Sequence, residues 1–252
     1  MYRLGRIIVT LSLATFIFTS GANATGDPAL REILNKHWEA MGGMRNWSQI
    51  ESIQLNGTIE RDGQLVDIVI VKKRPNQIRA TMTLPIPGKE DEKLQVIQAH
   101  DGKTAWTATR LAGAQEMRKE ELSSKAAAEL LADAGVLPRL IKAQRQGAKL
   151  EKIESKMIDR ISLIRIRATR EDSRTSYIFG LNSEDYRLAR IEQECPDQGT
   201  TVTTYSDYER QEGVYVASNM TIHSPETGIS RVTTEWIKVG VGIYEEYFTL
   251  EQ

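Results

Sequence analysis

From Glu51 onward the apolar residues of this chain recur with a period of two, and turn signals cut that pattern into short segments of similar length. A period of two sends alternate side chains to opposite faces of an extended strand, so a chain that keeps it this long has to build a sheet. In the first segment Ile53, Leu55, Gly57 and Ile59 face one way while Gln54, Asn56, Thr58 and Glu60 face the other. Arg61-Asp62-Gly63 is a hairpin turn by its Asp-Gly pair. The return segment from Leu65 to Lys73 is apolar on both faces through Val66, Ile68, Val69, Ile70 and Val71, which predicts cover on both sides. Pro75-Asn76 turns the chain again, and Ile78, Ala80, Met82 and Leu84 resume the alternation.

Further turn signals stand at Asp101-Gly102, Asn182-Ser183, Asp197-Gln198-Gly199, Glu212-Gly213 and Glu226-Thr227-Gly228. The pattern predicts a mainly β protein: a single large curved antiparallel sheet, a half-open β-barrel, with about eleven strands, twelve at most. The polar stretch from Pro85 to Lys93, rich in proline and charge, reads as a protruding loop.

Two segments depart from the period. Asp27-Pro28 opens a helix with an N-cap aspartate and a proline in the first turn; Leu30, Ile33, Leu34, Trp38 and Met41 follow at helical spacing until Gly42-Gly43. Met117 to Arg145 interrupts the sheet, with Leu122, Ala126, Leu130 and Leu131 on one helical face and a second short helix from Val136 through Ile141. A helical pair placed between two runs of strands must cover part of the sheet.

The first 24 residues resemble a cleaved secretory signal: Arg3 and Arg6, an apolar run from Ile7 to Phe18, and Ala22-Asn23-Ala24 before the expected cut. The apolar run is about a dozen residues, shorter than the roughly 20 that span a bilayer. Residues 25–252 are then expected to form one exported domain working in the periplasm. With 33 Lys and Arg against 34 Asp and Glu, interspersed along the chain, no basic patch marks a nucleic-acid partner. One cysteine, Cys195, leaves no internal disulfide, so stability has to come from buried apolar area. His37, His100 and His223 are far apart and lack ligand spacing, no nucleophile elbow is present, and neither a metal site, a cofactor nor catalysis is expected.

Val71-Lys72-Lys73-Arg74-Pro75-Asn76, the later Met82-Thr83, and Asp101-Gly102-Lys103-Thr104 followed by Trp106 resemble segments of the periplasmic lipoprotein carrier (LolA-like) family. Tyr205-Ser206-Asp207-Tyr208, Glu212-Gly213-Val214 and Tyr247-Phe248 are similar to its larger outer-membrane lipoprotein-sorting relatives. The resemblance implies a half-open barrel closed by a helical lid, binding the acyl chains of lipoproteins or lipids and passing them between membrane-bound donor and acceptor proteins. It also implies that Arg74, in the Arg-Pro-Asn turn, ties the lid to the sheet. The same fold in a lipid-sensing regulatory module is the alternative. Expected cavity residues are Ile53, Leu55, Ile68, Ile70, Ile78, Met82 and Trp106 on the sheet, with Leu130, Leu131, Leu137 and Ile141 on the lid. A one-residue error of register would exchange the inward and outward sets.

Overall fold

The computed structural model describes residues 27–249 except Pro87 and Asp172, so the signal expected over residues 1–24 lies outside the described residues. Helix α1 (Pro28–Ala40) starts as the sequence predicts, with the Asp27 carboxylate accepting a hydrogen bond from the Ala29 N–H at 2.9 Å and Pro28 in the first turn. α1 ends just before Gly42-Gly43 as expected, with Gly42 at φ +107°, and a second helix, α2 (Gly43–Gln49), follows at once.

The strands are β1 (Ser52–Arg61), β2 (Gln64–Lys73), β3 (Gln77–Ile86), β4 (Lys89–His100), β5 (Ala105–Leu111) and β6 (Arg118–Glu121), then β7 (Lys149–Ile158) through β8 (Ile161–Thr169), β9 (Ser176–Asn182), β10 (Leu188–Cys195), β11 (Gly199–Gln211), β12 (Val214–Ser224) and β13 (Gly228–Val239). The sheet has 13 strands where about eleven were expected. The strand that period counting misses is β6, four charged residues hidden at the start of the segment read as helical. The expected loop from Pro85 to Lys93 is instead the tip of the β3–β4 hairpin, where Pro85 pairs with Lys93 and Ile86 with Lys89. Pro85 sits beside a register shift, a position where its missing N–H is tolerated.

The spatial order, β6-β5-β4-β3-β2-β1-β13-β12-β11-β10-β9-β8-β7, explains the architecture. Two antiparallel meanders are joined in the middle by β1 and β13, and the two outer strands, β6 and β7, do not pair. The sheet is therefore curved but open. Both edges are charged: Arg118-Lys119-Glu120-Glu121 on one side, and Lys149, Glu151, Lys152, Glu154 and Lys156 on the other, which discourages pairing with another chain. The chain must travel from β6 to β7, from one edge of the sheet to the other. It does so through α3 (Ser124–Asp133) and α4 (Arg139–Arg145), so the helical pair spans the sheet because connectivity requires it.

Gly57 makes the central seam possible. The β1–β13 register shifts between Asn56 and Gly57, and a Cβ at Gly57 would lie 2.0 Å from the Thr233 carbonyl oxygen.

Two apolar clusters fix the helices to one face of the sheet. Leu30 and Leu34 of α1 and Leu140 of α4 pack on Ile166, Phe179, Leu181 and Ile191. Trp38, Met41, Trp47 and Ile141 pack on Ile53, Val214 and Ile237. Each such side chain taken fully from water contributes about 1.5–3 kcal/mol. His37 is buried within this layer, and its Nδ1 donates to the Tyr186 carbonyl at 2.8 Å, since a carbonyl oxygen can only accept. Burial lowers its pKa to about 4, so the ring is neutral at neutral pH.

Candidate functional site

Directly paired residues on antiparallel strands share a face, so register places each expected cavity residue. Ile53 pairs with Lys72, Lys72 with Ile78, Leu55 with Ile70, and Ile68 with Met82. These six apolar residues therefore share the face that the helices cover. Ile53, Ile68 and Ile78 are buried there, while Leu55, Ile70 and Met82 are half-buried.

Trp106 is on the other face. It pairs with Ala99, which pairs with Arg79, which pairs with Val71. There the C-terminal segment straps over the outer surface: the indole Nε1 of Trp106 donates to the Phe248 carbonyl at 2.8 Å, and Arg79 stacks on Tyr247 at 4.3 Å. Lys73 and Gln77 both bind the Glu245 carboxylate. Trp106 is thus a packing residue of the outer face rather than a cavity residue. A tight turn before it shifts the inward parity by one, which sequence alternation alone does not register.

Arg74 also differs from the expectation. Its Nε donates to the Ile50 carbonyl at 2.7 Å and its Nη2 to the Trp47 carbonyl at 2.6 Å. It therefore caps the C-terminal end of α2, where helix carbonyls lack partners, and ties α2 rather than the α3–α4 pair to the β2–β3 turn. The α3–α4 pair is held there by another contact: the Gly135 N–H donates to the Gln77 carbonyl at 3.1 Å. Gly135 has φ +76°, and a Cβ on it would lie 2.6 Å from the Pro75 carbonyl oxygen. Lys142 joins the two helices, its ammonium donating to the carbonyls of Leu131, Ala132 and Ala134 at 2.7, 3.2 and 2.7 Å. A cation at a helix C-terminus satisfies both the free carbonyls and the macrodipole.

A groove of about 750 Å³ lies between α3–α4 and strands β8 to β10 with the adjoining turns. Besides the exposed Glu129, its helical wall is built from Ala128, Leu131 and Ala132 of α3 and from Arg139, Lys142 and Ala143 of α4 with Gln146 at its end. Those spacings of three, four and seven put each set on one helical face. Its sheet wall carries Ala148, Ala168, Tyr177 and Phe179, with Gln193 and Cys195 toward one end. Arg170, Ser173, Thr175, Asp197, Gln198 and Glu226 form a polar rim beside the turns at that end. Along the groove Ala128, Ala132, Ala143, Ala148 and Ala168 recur on both walls, and that explains the hollow: small side chains leave volume that a leucine would fill.

Of the residues expected to line a cavity, Leu131 lines this groove. Leu137 lines a smaller hollow of about 160 Å³ beside Arg74, while Ile141 is buried in the apolar core and Leu130 is half-buried. The expected sheet residues belong to β1–β5, whereas the groove uses the β7–β13 meander. The signal for its position was present in Ala143, Ala148 and Ala168, but a run of alanines between apolar residues reads as ordinary core.

The groove is not electrically neutral. Arg139 approaches the Asp133 carboxylate at 3.4 Å, lies 5.5 Å over the Tyr177 ring and is hydrogen-bonded to the Tyr205 side chain. Burial pushes the Lys142 pKa down to about 8, with the nearby Lys72 charge adding to the effect. Against the upward pull of burial, Arg139, Lys72 and Lys142 together hold Asp133 below the usual carboxylate range. Among the described residues no group of three or more His, Cys, Asp or Glu is placed to hold a metal ion, and no helix is long and apolar enough to cross a membrane.

No family sequence model matches the chain, and no curated protein matches it by sequence. Its fold is nevertheless found among solved structures. A DUF1329 family protein from Desulfovibrio piger superposes with a TM-score of 0.55 at 13% identity, over 85% of this chain and 96% of the other. A LolA superfamily protein from Nitrosomonas europaea gives 0.55 at 11% identity, over 87% and 96%. A domain described as an outer membrane lipoprotein-sorting protein from Vibrio parahaemolyticus gives 0.53 at 12% identity, over 86% and 94%. The chain thus has a LolA-like fold: one large, open, antiparallel sheet with its helices on one face.

Proposed function

Starting from a LolA-like fold, we propose that this protein is a periplasmic binding protein that takes acyl chains of lipoproteins or lipids into the groove under α3–α4. It carries them between membrane-bound donor and acceptor proteins. The observation that carries this reading is the groove itself, whose alanine-lined walls leave about 750 Å³ open along one side. That volume is within the roughly 300–1,000 Å³ of small-molecule sites, and each methylene buried in it contributes about 0.8 kcal/mol. The rest of the α3–α4 interface supports the reading. Leu140 and Ile141 fix α4 in the two apolar clusters, whereas neither cluster includes a residue of α3, so the groove can widen on its α3 side without unpacking them. No helix long and apolar enough to cross a membrane is found among the described residues, which is compatible with a carrier that leaves the membrane between transfers.

Cys195 provides a native reporter. It is the single cysteine of the chain, lines the groove and is half-exposed. Loading with a long-chain acyl ligand is expected to slow its reaction with a maleimide by about tenfold or more, as a buried thiol loses access to reagent. Ala132→Trp, which places a large ring in the same hollow, is expected to slow labelling without any ligand. Labelling at one rate with and without acyl ligand would place the chains elsewhere.

A further inference from the structure

Resting on that reading, we propose that the groove selects a single-chain amphiphile with an anionic oxygen-bearing head, a carboxylate or a phosphate monoester, and that Arg139 binds the head. A purely apolar ligand would leave the helical wall with a charge problem. Arg139 and Lys142 of α4, both half-buried, line the groove, and Lys72 of the sheet lies within electrostatic reach of them; the acidic lining residues Glu129, Asp197 and Glu226 are all exposed, and the carboxylate that interacts with all three cations is Asp133. That carboxylate is half-exposed and reaches the Arg139 Nε only at 3.4 Å. A ligand that enters and displaces water would bury this surplus charge, which is unfavourable unless the ligand carries the compensating anion.

The geometry assigns the roles. Lys142 is committed to three carbonyls at the end of α3, so it supplies fixed charge rather than a mobile donor. Arg139 is one turn away on the same helical face and lines the groove. It is positioned by the Tyr177 ring beneath it and by the Tyr205 side chain. A planar guanidinium held in this way matches two oxygens of a carboxylate or phosphate, which a lone ammonium does not. Burial is the first cause of the lowered pKa of Lys142 and of Lys72, with repulsion from the neighbouring cations adding to it and Asp133 opposing it. The chain of the ligand would then lie against Ala143, Ala168 and Phe179, its end toward the turns.

The test is displacement of a neutral fluorescent probe, N-phenyl-1-naphthylamine, from the whole protein by four competitors. Palmitate is expected to displace it at a concentration at least about tenfold lower than methyl palmitate, which has the same chain without the charge. Hexadecyl phosphate set against palmitate tells which head is preferred, and inorganic phosphate alone is expected to displace nothing. Arg139→Gln is expected to bring palmitate down to the level of its ester without weakening the ester, and Arg139→Lys to keep part of the preference. Equal displacement by acid and ester in the unaltered protein would overturn the proposal while leaving acyl binding intact, and it needs no variant to fold. Full preference for the acid retained in Arg139→Gln would also overturn it. Failure of both acid and ester to displace the probe would remove the acyl groove itself.

Discussion

Gly135→Ala is expected to loosen the helical pair from the sheet and to weaken acyl binding by about tenfold or more. At φ +76° an alanine is strained, and its Cβ would meet the Pro75 carbonyl oxygen at 2.6 Å. The turn and the helical pair must then separate, and the Gly135 hydrogen bond to Gln77 is lost with that separation. Strain of this kind costs about 1–3 kcal/mol, and a lost buried hydrogen bond adds about 1 kcal/mol. Gly113→Ala is the matched control, because Gly113 has φ +84° with no atom within 4 Å of the added Cβ. It should show the strain alone and keep full affinity. Urea denaturation and probe titration of the two variants measure both quantities; equal behaviour would mean that the contact at Gly135 does not seat the helices.

Arg74→Met is expected to destabilise the protein by about 3 kcal/mol while changing acyl affinity little. The substitution removes two short, charge-assisted hydrogen bonds, leaving the Ile50 carbonyl without the Arg74 donor and the Trp47 carbonyl with only the 3.3 Å bond from the Ile50 N–H at the end of α2. Arg74→Lys should recover only part of the loss, because one ammonium cannot reproduce the two-pronged geometry. This pattern is the opposite of a residue that latches the cover of a cavity. The resemblance that points to Arg74 identifies a residue that fastens a helix to the sheet; the helix it fastens is α2, and α2 forms the permanent layer with Trp38, Trp47 and Val214. If affinity fell tenfold at unchanged stability, Arg74 would be acting on the groove through the smaller hollow that it lines with Leu137.

How legible this was in the sequence depends on the physical signal each part carries. The sheet is plain from alternation and turn chemistry, since Asp62-Gly63, Asp101-Gly102 and Glu212-Gly213 each mark a reversal that the structure contains. The crossing of α3–α4 is legible only in outline. That β6 and β7 are the two free edges follows from β1 pairing with β13, a contact between the two ends of the described chain that no local pattern encodes. The inward set changes from odd to even numbers across the Asp62-Gly63 turn, stays even through β3 and β4, and returns to odd across the Asp101–Thr104 turn, which puts Trp106 on the outer face. The groove was the least legible feature. It arises where alanines from three separate segments, α3, α4 and β8, come to face one another, and a hollow made by missing atoms leaves no motif. The cations beside it were equally hidden, since Lys72, Arg139 and Lys142 lie far apart in the chain and read singly as surface charge.

The central claim is that the space between α3–α4 and the β7–β13 meander is a seat for hydrocarbon. Native mass spectrometry of the protein isolated from its native cells under non-denaturing conditions tests this most directly. The expected spectrum contains a second series, heavier than the bare chain by the mass of one acyl-bearing molecule, and that series should fade in Ala132→Trp. Bare protein alone in repeated isolations, with no mass gained on incubation with palmitate or with an acylated lipoprotein, would contradict the account.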